Sequence, residues 1–336
     1  TLLQESLDDP DIQVVGVNDL HDIESLSYLF RKSSSYGMSA AEVPIENGSL
    51  VINGKAVRVT DSEKTEKIDW EEIGTDIAVD TTLTVSTPEE ASAHLQAGAR
   101  RVIAVTGHDT GLPAVVLGVN EGSYKGESVI ASPTAETVSL IAMLRAISAK
   151  FKVSGATVSW SPAPAPEACS DAAEDESPKA AEKAELSESK EAAKETEKAE
   201  KASQPQAADA AGKPDECPID PAMVAKFLPE LAGAVKVVPA ESAANKAGFS
   251  LDVSFEGDVA FDDLKKALRE AAESDGYGTL AYSEAEGCAK PEALSVFEAA
   301  SSCAADSHTA RIAVGCDRMA SFARYLLRLV NFIARR

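Results

Sequence analysis

Along the first 160 residues, short blocks with the apolar pattern of a strand are interspersed with short blocks with the apolar pattern of a helix. Residues 49–59 predict a hairpin, because Asn53-Gly54 separates two β-branched runs and favours a tight turn. Apolar runs predict further strands at 13–19, 76–80, 101–105 and 114–119. Helical spacing predicts the tail of a helix over 2–9 and whole helices over 22–32, 88–98 and 137–150. Strands and helices in alternation indicate an α/β domain with a mainly parallel sheet.

The pattern changes after a strand predicted over 153–160. Residues 162–217 consist mainly of Ala, Glu, Lys, Ser and Pro, and such a composition predicts a disordered or solvated acidic linker that buries no core. Beyond it, the pattern predicts helices over 221–231, 261–274 and 324–334 and strands over 234–238, 250–255 and 310–314.

Together these elements predict two domains. Residues 1–132 are expected to form a Rossmann-like domain, and residues 133–161 with 218–315 an α+β domain that the 162–217 linker interrupts. Residues 316–336 are expected to form a C-terminal helix that packs back on the first domain.

Charge narrows the classes of partner. The 336 residues carry 55 acidic and 32 basic side chains, a formal net charge of −23. An excess of this sign repels polyanions, so nucleic acid and anionic membrane surfaces are not expected as partners. Small molecules or other proteins are expected instead, and the acidic linker is one candidate site for a protein partner.

Targeting and metal signals are weak. No apolar run approaches the ~20 residues that would span a bilayer, and no basic-then-apolar leader opens the sequence, so a cytoplasmic location is predicted. The five cysteines contain no Cys-x-x-Cys pair, and the four histidines show no metal-ligand spacing. Free thiols and no metal site are therefore expected.

Several short runs resemble the glyceraldehyde-3-phosphate dehydrogenase family in order and spacing. They are VVGVND at 14–19, NGSLVINGK at 47–55, AHLQAGARRVI at 93–103, LGVN at 117–120, LPEL at 228–231, FDDLKK at 261–266 and LVNFIA at 329–334. The resemblance covers nearly the whole chain outside the linker. It implies an NAD-binding domain followed by an α+β dehydrogenase-type domain.

The positions that carry the family's chemistry are substituted. In this family a cysteine thiolate attacks an aldehyde, because only a soft nucleophile of low pKa forms and then releases the thioester. The family motif Ser-Cys-Thr-Thr-Asn aligns with residues 134–138 and places Ala135 at the nucleophile. The histidine base falls on Ser161 and the phosphate-binding arginine on Val237, so loss of catalysis is predicted.

The resemblance leaves coenzyme binding as an expectation. Asn18 and Asp19 end the second strand of the implied domain, where a carboxylate binds the adenosine ribose and favours NAD over NADP; a simple loop start is the alternative interpretation. Thr81 and Thr82 resemble the family's Ser-Thr beside the coenzyme, although Leu83 replaces the glycine that follows. Asp317 falls near the asparagine that orients the nicotinamide.

Two further expectations concern the missing parts of the family pattern. The Gly-x-Gly-x-x-Gly loop that holds the pyrophosphate would lie just before Thr1, so a fragment that lacks the first strand is favoured over a complete chain. The linker replaces the loop that packs subunits together in the family. A homo-oligomer is therefore possible, but the family's tetramer contact is in doubt.

Three functional hypotheses follow. The first is a non-catalytic NAD-binding or regulatory protein on a dehydrogenase fold. The second is an active NAD-dependent glyceraldehyde-3-phosphate dehydrogenase, against which Ala135 stands and for which a relocated nucleophile at Cys169 would be needed. The third is a different NAD-dependent enzyme that uses Glu136 or His108 as its acid or base.

Overall fold

A computed structural model describes residues 1–32, 43–160, 217–239, 248–285, 293–316 and 319–336. Its helices are α1 (Leu2–Glu5), α2 (Ile23–Lys32), α3 (Trp70–Ile73), α4 (Pro88–Gln96), α5 (Ala135–Ser148), α6 (Pro221–Phe227), α7 (Phe261–Ser274) and α8 (Ala320–Ala334). Short 3-10 helices lie at Ser6–Asp8, Thr65–Lys67, Glu121–Ser123 and Pro229–Leu231. The predictions for the linker, for Ser161 and for Asp317 concern residues outside these ranges.

The strands form three sheets. They are β1 (Gly16–Asn18), β2 (Ile45–Glu46), β3 (Ser49–Ile52), β4 (Lys55–Thr60), β5 (Ile77–Asp80), β6 (Arg101–Thr106), β7 (Val129–Pro133), β8 (Val153–Trp160), β9 (Val235–Pro239), β10 (Gly248–Phe255), β11 (Leu280–Ser283), β12 (Ser295–Ala304) and β13 (Thr309–Cys316).

Two small sheets occupy the first half of the chain. The first has the order β1-β4-β3-β2, in which β1 runs parallel to β4 and the β3–β4 hairpin turns at the predicted Asn53-Gly54. The second is fully parallel, with the order β5-β6-β7. The chain connects each pair of parallel strands by a crossover that contains a helix or a loop, as parallel pairing requires. The Rossmann-like parallel elements are therefore confirmed.

The second half of the chain forms a six-stranded mixed sheet with the order β11-β12-β13-β10-β8-β9. Its four central strands run antiparallel to one another, while each edge strand pairs in parallel with the strand beside it. Residues 156, 158 and 160 of β8 are buried and alternate with more exposed neighbours, as expected for a sheet covered on one face. The structure confirms a mixed α/β fold with a second sheet.

One apolar cluster connects the parallel sheet with the six-stranded sheet. Helix α5 lies within it, because eleven of its fourteen residues are buried. Leu140 and Met143, on α5, pack in the same cluster as Ile103 of β6 and Phe249 of β10. Each large side chain buried in this way contributes about 1.5–3 kcal/mol, so α5 holds the two sheets together.

The first and last helices also meet. Helix α8 packs against α1, the Arg324 guanidinium bonds the Glu5 carboxylate at 2.6 Å, and Asn331 donates to Asp9 at 2.7 Å. Arg101 of β6 donates to the Ile333 carbonyl oxygen. Helix α8 therefore contacts residues from two separate parts of the first 132.

The strand predicted over 114–119 is wrong. These residues make one isolated bridge, Ala114 to Ala131, and then turn. The Asn120 side chain accepts from the Val116 N–H at 2.7 Å and donates to the Ala114 carbonyl at 2.9 Å, so the backbone closes on itself. The segment is apolar because it is buried in the core, not because it is a strand.

Candidate functional site

The carboxyl ends of the three parallel strands lie along one edge of their sheet. Asp80 ends β5, Thr106 ends β6 and Pro133 ends β7, and the register pairs Thr106 with Pro133. Ligands of open α/β sheets bind outside this edge, at the loops that follow the strands. The Thr81–Thr82 loop and the start of α5 both lie there.

Helix α5 begins at this edge with a buried methyl group. Ala135 is the first residue of the helix and is 3% exposed. The hydroxyls of Thr134 and Thr137 lie 3.0 Å apart, and both lie within 3.0 Å of the Pro218 carbonyl oxygen. These contacts fix the helix start and give the position of Ala135 a rigid frame. The side chain of Ala135 itself carries no atom that reacts.

Glu136 follows in the first turn of α5 and is also buried. A carboxylate in this position is favoured by the partial positive charge at a helix N-terminus. His108, the other acid–base candidate, lies in an exposed loop after β6. The structure does not bring the two side chains together by any hydrogen bond between the residues it describes.

The carboxylate of Asp109 does not bind His108, the residue next to it in the chain, but two other residues. It accepts from the Lys226 ammonium at 2.7 Å and from the Gly111 N–H at 3.0 Å. The hydrogen bond from Lys226 is the largest influence on this carboxyl and holds its pKa below the usual value. Asp109 therefore fastens its loop to α6.

A thiol that sequence reasoning overlooked lies near the start of α5. Cys316, at the end of β13, is buried, and its Sγ lies 3.3 Å from the hydroxyl of Ser139. Ser139 follows Ala135 by four residues, so the two share one face of α5 about one turn, or ~5.4 Å, apart. No local motif marks this thiol, because only the pairing of β13 with β10 and the packing on α5 bring it there.

The other predicted substrate-site position lies in β9. Val237 is partly buried, whereas Lys236, beside it, is exposed, as the alternation of a strand requires. Ser161 and Asp317 lie outside the described residues. Their assignment to the site stays a prediction.

The end of β1 is shaped by Asn18. Its amide oxygen accepts from the Thr60 hydroxyl and the Ser62 N–H, both at 2.9 Å, and its amide nitrogen donates to the Ser62 carbonyl at 3.0 Å. Asn18 therefore joins the ends of β1 and β4. Its predicted contact with a coenzyme would have to be made by the second N–H of its amide, which these bonds leave as a donor.

Asp19 presents an accessible carboxylate next to it. The Oδ1 atom accepts from the backbone N–H of His21 at 3.0 Å and from its ring Nδ1 at 2.7 Å. The side chain is 40% exposed, and within the part of the chain that the structure describes Oδ2 has no protein partner. A carboxylate with one free oxygen at the end of a parallel strand fits a pair of ribose hydroxyls.

A buried hydrogen-bonded chain supports the loop after β5. The Trp70 indole N–H donates to His94 Nδ1, and His94 Nε2 lies 3.0 Å from Asp80 Oδ2. Thr82 donates its N–H and its hydroxyl to Asp80 Oδ1, at 2.8 and 2.6 Å. Burial is the largest influence on Asp80 and opposes ionisation, but the hydrogen bonds from His94 and Thr82 outweigh it and lower the pKa of this carboxyl.

The loop that follows carries a residue in a rare conformation. Leu83 has a φ of +61°, in the left-handed region that glycine adopts without cost. Thr81 and Thr82 are exposed, but the hydroxyl of Thr82 is already bonded to Asp80 and lies 2.8 Å from that of Thr84. Of Thr81 and Thr82, it is therefore Thr81 whose hydroxyl remains available to a ligand.

These residues fit the ribose end of NAD. Asp19 has an exposed carboxylate and Thr81 an exposed hydroxyl, which are groups of the kind that bind ribose hydroxyls. The printed sequence contains no Gly-x-Gly-x-x-Gly run for the pyrophosphate. The fit therefore concerns one end of the dinucleotide.

In the described ranges, no three His, Cys, Asp or Glu side chains gather as metal ligands would. None of the helices seen in the structure combines the length and the apolar character that crossing a membrane requires.

Known proteins give the site its context. The family model for the NAD-binding domain of glyceraldehyde 3-phosphate dehydrogenase matches residues 1–88. The cytosolic glyceraldehyde-3-phosphate dehydrogenase of Leishmania mexicana is 35% identical over 144 residues, which are 43% of this chain and 44% of that protein. The enzyme of Bacteroides fragilis is 36% identical over 43% of each chain.

Another relative extends over most of the chain. The glyceraldehyde-3-phosphate dehydrogenase of Colletotrichum lindemuthianum is 27% identical over 285 residues, 84% of this chain and 77% of that protein. In the matches to the two relatives above, the chain spans less than half of their length. The chain is therefore similar to the glyceraldehyde-3-phosphate dehydrogenase family, to the model of its NAD-binding domain over residues 1–88 and to the Colletotrichum enzyme over most of its length.

Proposed function

We propose that this chain binds NAD and does not catalyse the family's thiol-dependent oxidation of an aldehyde. The observation that carries the proposal is Ala135 at the first position of α5, where the motif of the family has its cysteine. A methyl group forms no thioester, and without a covalent intermediate the two-step reaction has no route. Ser161 and Val237, in place of the base and the phosphate ligand, support the same conclusion.

We assign coenzyme binding to the residues that follow β1 and β5, at the carboxyl ends of strands in two separate sheets. When bound, NAD supplies a hydride acceptor. In this chain Asp19 would accept hydrogen bonds from the ribose hydroxyls through its free oxygen, and its negative charge would repel a 2′-phosphate. NAD is therefore favoured over NADP.

The direct test is calorimetric titration with NAD and NADP, alongside an assay of NADH formation from glyceraldehyde 3-phosphate and phosphate. We expect NAD to bind, NADP to bind at least about tenfold more weakly because of repulsion by Asp19, and no NADH to form. An Asp19→Asn variant should reduce the preference. Turnover by the unaltered chain would overturn the non-catalytic proposal, and absence of NAD binding would overturn the coenzyme proposal.

A gain-of-function variant sharpens the test. In Ala135→Cys the new thiol would lie at a helix N-terminus, which lowers the pKa of a thiol. We expect NADH formation to remain absent in this variant, because residue 161 is still a serine. Turnover in this single variant would show that only the nucleophile had been lost.

A second candidate function rests on Cys316. Its thiol lies 3.3 Å from the hydroxyl of Ser139, one turn of α5 after Ala135, so an active dehydrogenase with a displaced nucleophile is the rival hypothesis. Burial at 4% exposure stands against it, since a nucleophile must reach its substrate. If Cys316 were the nucleophile, NADH formation would be detected and Cys316→Ser would abolish it.

The remaining functional proposals rest on composition. We propose a regulatory or interaction role in which the acidic segment 162–217 binds a protein partner, in a protein located in the cytoplasm. Co-purification of the full chain, compared with a chain that lacks 162–217, tests the partner. Sedimentation of the full chain measures whether it is a homo-oligomer.

A further inference from the structure

The chain of hydrogen bonds from Trp70 through His94 to Asp80 has a defined direction. An indole N–H can only donate, so His94 Nδ1 must accept. A ring that accepts at Nδ1 carries its proton at Nε2 and donates it to Asp80 Oδ2. The histidine is therefore held as one neutral tautomer.

This tautomer leaves the other oxygen of Asp80 to the loop. His94 occupies Oδ2, and Oδ1 receives the N–H and the hydroxyl of Thr82. Asp80 and His94 have side chains only 8% exposed, so solvent does not compete for these bonds. The orientation of the carboxylate plane, and with it the position of Thr82, depends on His94.

The loop needs such support. Leu83 directly follows Thr82 with a φ of +61°, and a non-glycine residue persists in this region only when its surroundings fix it. The hydroxyl of Thr84 adds a bond to Thr82 at 2.8 Å. The bonds on Asp80 Oδ1 tie the start of this strained loop to the end of β5.

We propose that His94 is a positioning residue for the coenzyme-side loop 81–84, which it holds in its binding conformation through Asp80. The proposal rests on the proposed NAD-binding function. His94 lies buried on α4 and acts through a carboxylate, so it has no need to touch the coenzyme itself. Trp70 fixes the tautomer, and Asp80 transmits the orientation to Thr82.

The variants His94→Gln and His94→Leu separate this role from simple packing. The glutamine amide nitrogen can donate to Asp80 from about the place of Nε2, whereas leucine fills the space without a donor. We expect hydrogen exchange of the Thr82 amide, measured by NMR without NAD, to accelerate at least about tenfold in His94→Leu. It should stay within about threefold of the unaltered chain in His94→Gln. His308→Leu, at an exposed histidine with no role in the site, is the control and should change nothing.

A spectroscopic signature reports the first bond of the chain. With 15N-labelled tryptophan, the Trp70 indole resonance should move upfield in His94→Leu because its acceptor is lost, while that of Trp160 stays in place. If His94→Leu fails to fold, Trp70→Phe keeps a smaller aromatic ring and removes the donor, and the exchange of the Thr82 amide is measured there instead.

NAD affinity then links the loop to binding. We expect His94→Leu to weaken NAD binding about tenfold and His94→Gln to restore most of it. Unchanged exchange at Thr82 in His94→Leu would overturn the proposal, as would equal acceleration of all amides, which indicates global destabilisation. Unchanged NAD affinity despite a loosened loop would also overturn it. If the unaltered chain binds no NAD, the proposed function and the binding role of His94 both fail, while the exchange data still decide whether His94 orders the loop.

Discussion

At the scale of single residues, Gly98 is the most constrained of the described glycines. It has a φ of +105°, and a Cβ added there would lie 2.5 Å from the backbone nitrogen of Glu71 and 2.9 Å from its Cα. Gly98 lets the end of α4 approach α3. There the backbone N–H of Trp70 donates to the Ala97 carbonyl oxygen at 2.8 Å. This close approach aligns Trp70 with His94.

We expect Gly98→Ala to lower the free energy of unfolding by about 3 kcal/mol, from backbone strain and steric overlap together. Gly126→Ala is the matched control, because Gly126 has a φ of +96° and an added Cβ meets nothing within 4 Å. It should lose only the strain, about 1–2 kcal/mol. Urea unfolding of both variants measures the difference, and equal losses would contradict a role for the contact.

At the scale of elements, α4 is delimited by its own sequence. The Thr87 hydroxyl accepts from the Glu90 N–H, the Glu90 carboxylate accepts from the Thr87 N–H, and Pro88 occupies the first turn. Such a capping box satisfies backbone donors that a helix leaves unbonded. The helix that carries His94 therefore starts at a fixed residue.

Thr87→Ala should destabilise the chain by about 1 kcal/mol, because one cap bond is lost. Thr87→Ser keeps the hydroxyl and should cost much less. Thermal unfolding followed by circular dichroism distinguishes the two, and an alanine variant as stable as the serine variant would show that the cap contributes nothing.

Elements with their own local signals were predictable, and those defined by partners were not. The β3–β4 hairpin and α7 follow from a turn dipeptide and an amphipathic pattern. Strands β11 and β12 were missed, although β12 has ten residues, because most of the β12 positions 295–299 are buried and alternation is lost there. Segment 114–119 shows the reverse case, an apolar run that lacks strand partners.

The same limit applies to the candidate site. The substitution at Ala135 is visible in an aligned motif, so the sequence suffices to predict it. The contacts of His94 with Trp70 and Asp80 span 24 and 14 residues, and no motif encodes them. They arise only when α3, α4 and β5 pack together.

At the scale of the whole molecule, a largely buried ion pair joins the first helix to the last. The side chains of Arg324 and Glu5 are 22% and 10% exposed and bond at 2.6 Å. Arg335 and Asp11 pair at the same helix but are 71% and 57% exposed. The two pairs differ mainly in their access to water, which decides the strength of an ion pair.

We expect Arg324→Met to cost about 3–5 kcal/mol, because Glu5 is left buried and unpaired. Adding Glu5→Gln should recover part of that loss. Arg335→Met should change stability by about 0–1 kcal/mol. Guanidinium unfolding of the three variants tests this order, which would be refuted by equal effects of the two arginine substitutions.

The unbroken apolar cluster around α5 has a consequence for the way the chain melts. Since α5 packs on residues of both the parallel sheet and the six-stranded sheet, neither can lose its structure without exposing the core of the other. The parallel sheet and the six-stranded sheet should therefore melt in one cooperative transition. A ligand held at the carboxyl edge would raise the melting temperature of both sheets together.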